Sequence, residues 1–154
     1  MSPNKVWFRA DSQDVDQARR DDNTRMVPGK RILVIDDDAS IAGLVAEALQ
    51  EEGFRVASAS DAIQARASAA TQAPDLVLLD VNLPGLGGWE LLDSLRPPGA
   101  LTMPIIVMTG DSRALDGLDD ARQRGIVNHL FKPFELNELL SKVRAALEAA
   151  DAGE

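Results

Sequence analysis

The run Asp36-Asp37-Asp38 sets three carboxylates directly behind the apolar stretch Ile32–Ile35. Asp80 closes a second apolar stretch, Leu76–Leu79, and Thr109 a third, Pro104–Met108. Lys132 closes a fourth, Asn128–Phe131. Carboxylates brought together repel one another, and the pKa of some rises unless a cation lies among them. A hard divalent ion with oxygen ligands, best matched by Mg²⁺, relieves that conflict while keeping part of its water shell. Mg²⁺ in turn favours phosphate oxygens. Lys132 adds a compact positive charge and Thr109 a neutral donor. Such a set neutralises and orients a tetrahedral oxyanion beside a carboxylate nucleophile. The chemistry it points to is phosphoryl transfer onto an aspartate.

For these residues to meet, the stretches before them must lie side by side. Arg31–Ile35 is a short β-branched run closed by acids, as a buried parallel strand reads. Phe54–Ala59, Leu76–Leu79, Pro104–Met108 and Asn128–Phe131 read as four more strands. Between them, Ile41, Leu44, Val45, Ala48 and Leu49 recur at helical spacing, with Asp38 or Ser40 as N-cap and Gly53 as the stop. Ala62–Ala70, Trp89–Leu95 and the weaker Leu115–Arg124 give three further helices. Leu136, Leu139, Leu140, Val143 and Leu147 form the apolar stripe of a last one.

This alternation predicts an α/β fold, a doubly wound five-stranded parallel sheet flanked by five helices. In such sheets ligands bind at the carboxyl ends of the strands. Four of the five expected strands end there on the residues named above.

Composition narrows the classes further. The 154 residues contain no cysteine, which removes disulfides, thiolate metal sites and cysteine nucleophiles. No apolar run approaches the roughly 18 residues of a membrane span, and the N-terminus lacks a secretory signal's apolar core. The expectation is a cytoplasmic protein with no membrane contact. Residues 1–30 carry six basic and five acidic side chains, whereas the remainder carries ten basic and twenty acidic. A domain so acidic repels phosphate backbones, so proteins and metal ions are expected as partners rather than nucleic acid. Residues 1–28 show no apolar period and are expected to form a mobile tail. One domain over residues 29–150 and a short tail over 151–154 complete the division. No GxxxxGK[ST] or GxGxxG supports nucleotide binding.

Four segments carry a family resemblance: ILVIDDD at 32–38, PDLVLLDVNLPGLGG at 74–88, PIIVMTG at 104–110 and HLFKPF at 129–134. From about residue 30 to 150 the chain resembles the receiver domain of bacterial two-component response regulators, the CheY-like, flavodoxin-like fold. The spacings agree with it: 43 residues from Asp37 to Asp80, 29 from Asp80 to Thr109 and 23 from Thr109 to Lys132. The resemblance implies that Asp80 accepts the phosphoryl group and that Asp37 binds Mg²⁺ directly. It gives Asp36 a place beside the metal, often through water, and Asn82 a backbone carbonyl on it. Thr109 hydrogen-bonds the phosphoryl group, and Lys132 pairs with it. The resemblance further implies a cis Lys132–Pro133 bond and a switch side chain at His129. A histidine kinase or histidine phosphotransfer protein is the implied donor. With no DNA-binding module read after the last helix, a stand-alone receiver signalling by protein contact is expected. Lys132–Leu140 also resembles receivers that pair through their last helix, which leaves a homodimer through that region open.

The match has departures. The family's switch residue is usually Tyr or Phe, so His129 stands open between switch and surface residue of the fifth strand. Gly110 occupies a position that is often Ala, and Gly87 one that is commonly acidic. Taken alone, each motif also has a plain structural role. Asp36–Asp38 can cap a helix, Asp80 and Thr109 can simply end strands, and Lys132 can be a solvated cation. A tuning role for Asp111 competes with a helix N-cap, which is the preferred reading.

Two other classes remain to be weighed. Haloacid dehalogenase-type phosphatases use an aspartate nucleophile in a DxD after a strand, which Asp36–Asp38 formally contains. In that reading Asp36 is the nucleophile of a turnover enzyme, and Asp80 with its Leu83-Pro84-Gly85 turn has no purpose. The other is a receiver-like interaction module that works without phosphorylation, against which the intact residue set argues.

Overall fold

The structure is a computed structural model, described here for residues 29–83, 88–95, 103–111, 113 and 125–152. The described residues form, in chain order, β1 (Arg31–Ile35), α1 (Ala39–Glu51), β2 (Arg55–Ala59), α2 (Ala62–Thr71), β3 (Leu76–Asp80), α3 (Gly88–Leu95), β4 (Ile105–Thr109), β5 (Ile126–Phe131) and α4 (Leu136–Ala152). All strand pairs are parallel, in the order β2-β1-β3-β4-β5. That order reverses beside β1, so β1 and β3 lie adjacent and send their connections to opposite faces. The helix expected over Leu115–Arg124 lies outside the described residues, as does the segment 1–28.

Burial explains why the central strands read as unbroken apolar runs. Every residue of β3 and β4 is buried, because helices cover both faces of a parallel sheet. Alternate residues feed two separate cores. Ile32, Val34, Leu76, Leu78, Ile106, Met108 and Leu130 pack on one face with Val45 and Leu49 of α1 and Leu139 and Val143 of α4. Leu33, Ile35, Val77, Leu79, Ile105 and Val107 pack on the other with Ala65 of α2 and Leu91 and Leu92 of α3.

Caps fix where the helices begin and end. Asp38 accepts hydrogen bonds from the amides of Ser40 and Ile41 at 3.0 and 3.2 Å, which settles the α1 N-cap in its favour. Asp61 does the same for α2 through the Gln64 amide at 2.8 Å. Gly53 follows α1 with φ 97°, a left-handed conformation that costs glycine nothing extra.

Several boundaries differ from expectation, most by a single residue, and three of the differences have a visible cause or consequence. Phe54 is buried but precedes β2, because its amide bonds to the Leu49 carbonyl at 3.2 Å and so closes the helix instead of joining the sheet. β5 begins at Ile126, two residues early, and a register irregularity opposite Ile105/Ile106 leaves Val127 exposed. α4 runs to Ala152, past the expected domain end at 150, and Asp151 there pairs with Lys30 at 3.2 Å.

Truncating a side chain in either core should be felt strongly. Leu78→Ala removes a fully buried side chain and is expected to destabilise the domain by about 3 kcal/mol in urea unfolding. Ile63→Ala, at a position 77% exposed, should stay within about 0.5 kcal/mol of wild type.

Candidate functional site

The carboxyl ends of β1, β3, β4 and β5 converge on one edge of the sheet, and each delivers one of the expected residues there. Asp36 lies just past β1, Asp80 and Thr109 are the last residues of β3 and β4, and Lys132 follows β5 directly. The register pairs Asp80 with Met108 and Thr109 with Phe131, so the chain order of the strands alone brings the groups together. The Lys132 amide continues the ladder by bonding the Thr109 carbonyl at 2.8 Å. The Lys132–Pro133 peptide is cis, as the resemblance implies.

Lys132 Nζ lies 2.7 Å from Asp36 Oδ2 and 3.1 Å from Asp80 Oδ2. The remaining oxygens accept backbone amides: Asp36 Oδ1 from Asp38 at 2.9 Å and Asp80 Oδ1 from Asn82 at 2.9 Å. Asp36, Asp80 and Thr109 are the buried polar residues among those described. Asp37 is exposed at the rim, and its carboxylate completes a group with Asp36 and Asp80 whose ligand atoms lie within 4.8 Å of one another.

Electrostatics follow from one cation among three acids. Burial raises the Asp36 carboxyl above its ordinary value, outweighing the hydrogen bonds from Lys132 and the Asp38 amide that lower it. Burial works against the charge on Lys132 as well, yet hydrogen bonds and charges of Asp36 and then Asp80 hold it above the ordinary lysine value. Lys132 is therefore ammonium, and the ionised cluster keeps two surplus negative charges. Its donors are hard oxygens, close together and open to solvent on the Asp37 side. These residues fit a divalent cation of the Mg²⁺ type.

Asn82, expected to act through its backbone carbonyl, also uses its side chain. Its Nδ2 donates to Thr109 Oγ1 at 3.2 Å. The Thr109 hydroxyl donates to the Asp111 carbonyl at 3.1 Å and accepts the Asp111 amide at 3.0 Å. Nothing in a turn asparagine signals a partner 27 residues away, so the sequence carries no trace of this bond. The Asp111 carboxylate accepts the Arg113 amide and guanidinium instead of meeting the cluster, and those hydrogen bonds lower its pKa.

His129 does not join the cluster. It sits half-buried on β5 in register with Val107, its ring edge-on to Phe131 at 5.0 Å between centroids. Lys142 of α4 donates to the His129 carbonyl at 2.7 Å. This site thus gathers Asp36, Asp37, Asp80, Asn82, Thr109 and Lys132, with His129 outside it on β5, three residues before Lys132.

The model of the response regulator receiver domain matches residues 32–144. The chain belongs to that family. Among curated relatives, the DNA-binding response regulator MtrA of Mycolicibacterium paratuberculosis is 38% identical over 125 residues, covering 79% of this chain and 53% of MtrA. The alkaline phosphatase synthesis transcriptional regulatory protein PhoP of Bacillus subtilis is 37% identical, covering 79% and 50%. The chain therefore spans about half the length of the curated relatives it matches. Among solved structures, a CheY-like receiver domain protein of Methanospirillum hungatei superposes with a TM-score of 0.74 at 28% identity, covering 82% of this chain and 99% of that one. The receiver domain of NtrX from Brucella abortus gives 0.68 at 35%, covering 76% and 98%. The five-stranded doubly wound receiver fold is thereby established, and the chain is a two-component receiver domain. No described helix is long and apolar enough to cross a membrane.

The raised Asp36 carboxyl has a consequence for stability. Above its ordinary value of 3.8 and up to its raised one, the native receiver holds more proton at Asp36 than the unfolded chain does. Stability from this residue is present below the ordinary value and is lost as pH rises through the raised one. Urea titrations in a chelator should show this fall in wild type, and the wild-type minus Asp36→Asn difference should isolate it.

Proposed function

We propose that this receiver domain is a phospho-accepting switch in which Asp80 takes a phosphoryl group from phosphohistidine on a histidine kinase or histidine phosphotransfer protein. The observation that carries the proposal is the shared ammonium: Lys132 Nζ touches the buried carboxylates of β1 and β3 at once, 2.7 Å from Asp36 and 3.1 Å from Asp80. Both carboxylates have each oxygen in a hydrogen bond, but Asp36 has no side-chain exposure whereas Asp80 keeps 7%. An incoming phosphodonor therefore reaches Asp80 and not Asp36. This favours the receiver chemistry over a phosphatase with an Asp36 nucleophile.

Asp36, Asp37, Asp80 and the Asn82 carbonyl would hold Mg²⁺. The ion supplies charge neutralisation for the transferred phosphoryl oxygens. An Asp80 carboxylate oxygen attacks phosphorus in line as the N–P bond to histidine breaks, and the donor imidazole leaves with the bonding pair. Lys132, already between the carboxylates, moves its hydrogen bonds onto the phosphoryl oxygens. The Thr109 hydroxyl then donates to the same group, and the β4–β5 surface, with His129 on it, shifts population toward a second arrangement.

The product is an acyl phosphate that serves as a signal, so the domain acts as a switch rather than a turnover enzyme. Its acidic surface suits protein contacts in the cytoplasm, with the target recognising the phosphorylated population. MtrA is by name DNA-binding, and that property belongs to the whole of a protein about twice the matched length.

Intact mass after incubation with a small-molecule phosphodonor tests this. Wild type should gain one phosphoryl group in Mg²⁺ and none in a chelator. Asp80→Asn should gain none, and Lys132→Ala should react about 100-fold more slowly. A folded wild type with no adduct in Mg²⁺ would overturn the proposal.

A further inference from the structure

The Thr109 side chain is fully buried, and its hydroxyl has no hydrogen-bonding capacity left. A hydroxyl offers one O–H and two lone pairs. Here the O–H goes to the Asp111 carbonyl at 3.1 Å, and the lone pairs take the Asp111 amide at 3.0 Å and Asn82 Nδ2 at 3.2 Å. A phosphoryl oxygen arriving on Asp80 finds no free donor at Thr109. The hydroxyl reaches it only by leaving the Asp111 carbonyl.

We propose that the Asn82 carboxamide and the Asp111 backbone form a latch that holds the Thr109 hydroxyl in its unphosphorylated position, with Asn82 a positioning residue that sets how readily the domain switches. The inference rests on Asp80 being the phosphoryl acceptor. Asn82 spans the two ends of the event, its amide on Asp80 Oδ1 at 2.9 Å and its side chain on Thr109.

The two halves of the latch differ. On the Asp111 side the contacts are backbone groups two residues along the chain, and the Asp111 carboxylate is taken up by the Arg113 amide and guanidinium at 2.9 to 3.2 Å. Asn82 is exposed, and its amide re-pairs with water once Thr109 leaves. The buried Thr109 oxygen has no such recourse. Removing the Asn82 amide therefore weakens the unphosphorylated position selectively.

Titration with beryllofluoride, a tetrahedral phosphoryl mimic, tests the latch. The Gly110 amide resonance serves as reporter, at Mg²⁺ saturating for each variant. In Asn82→Ala the half-saturating concentration should fall about five-fold, the worth of one ordinary hydrogen bond. Before any beryllofluoride is added, the Gly110 resonance of that variant should already move toward its capped position. In a Thr109→Val background the same substitution should change nothing, because the bond it removes is gone. Weaker or unchanged beryllofluoride binding in Asn82→Ala overturns the latch, as does an equal effect in the Thr109→Val background. Failure of wild type to bind beryllofluoride at all overturns the acceptor reading, a result distinct from the other two.

Discussion

Lys132 reaches two carboxylates that belong to different strands, and much of the site is arranged so that this one positive charge can serve both. Asp36 is wholly buried and Asp80 nearly so, and neither has another cation against it among the described residues. Replacing Lys132 with an apolar residue leaves two unpaired buried acids, a change that ordinarily destabilises by several kcal/mol. The pair is nevertheless a poor stabiliser in its own right, since the desolvation of Asp36 exceeds what its hydrogen bonds return. Its value lies in chemistry. On the proposed function, a protonated lysine among three carboxyl groups suits a divalent cation on one side and a phosphoryl group on the other.

The rest of the domain holds those groups still. Two cores on opposite faces of the sheet clamp β1, β3 and β4, so their last residues cannot slide relative to one another. Asp38 illustrates the economy of the arrangement: its carboxylate caps α1 while its amide orients Asp36. Farther away, Lys30 with Asp151 and Arg144 with Glu52 tie α4 to the start of β1 and the end of α1. Lys142 joins α4 to the β5 edge at the His129 carbonyl. Under the proposed switch, a rearrangement at Thr109 would be felt at β5, whose ladder with β4 runs up to the site lysine.

Much of this was legible in the residues because buried parallel strands announce themselves as apolar runs with polar ends. Leu76–Leu79 followed by Asp80 could hardly be read otherwise, and the same holds for Ile32–Ile35 followed by acids. What stayed hidden was whatever depends on a single long-range bond. Phe54 looks like strand by its type, but its amide is claimed by the end of α1. Val127 interrupts the alternation of β5 because the irregularity against β4 is a property of two strands and not of one. Lys30 extends the last helix from 121 residues away. The Asn82–Thr109 bond is of the same kind: a turn position is visible in sequence, but the direction of its side chain is not.

On the proposed function, phosphorylation falls on Asp80 and Asp36 only shapes the site. Borohydride reduction of the phosphorylated protein converts an acyl phosphate to an alcohol, turning the labelled aspartate into homoserine, which peptide mass spectrometry locates. Homoserine is expected at position 80, with Asp36 and Asp37 unchanged. Homoserine at position 36 would contradict it and return the nucleophile to the first strand.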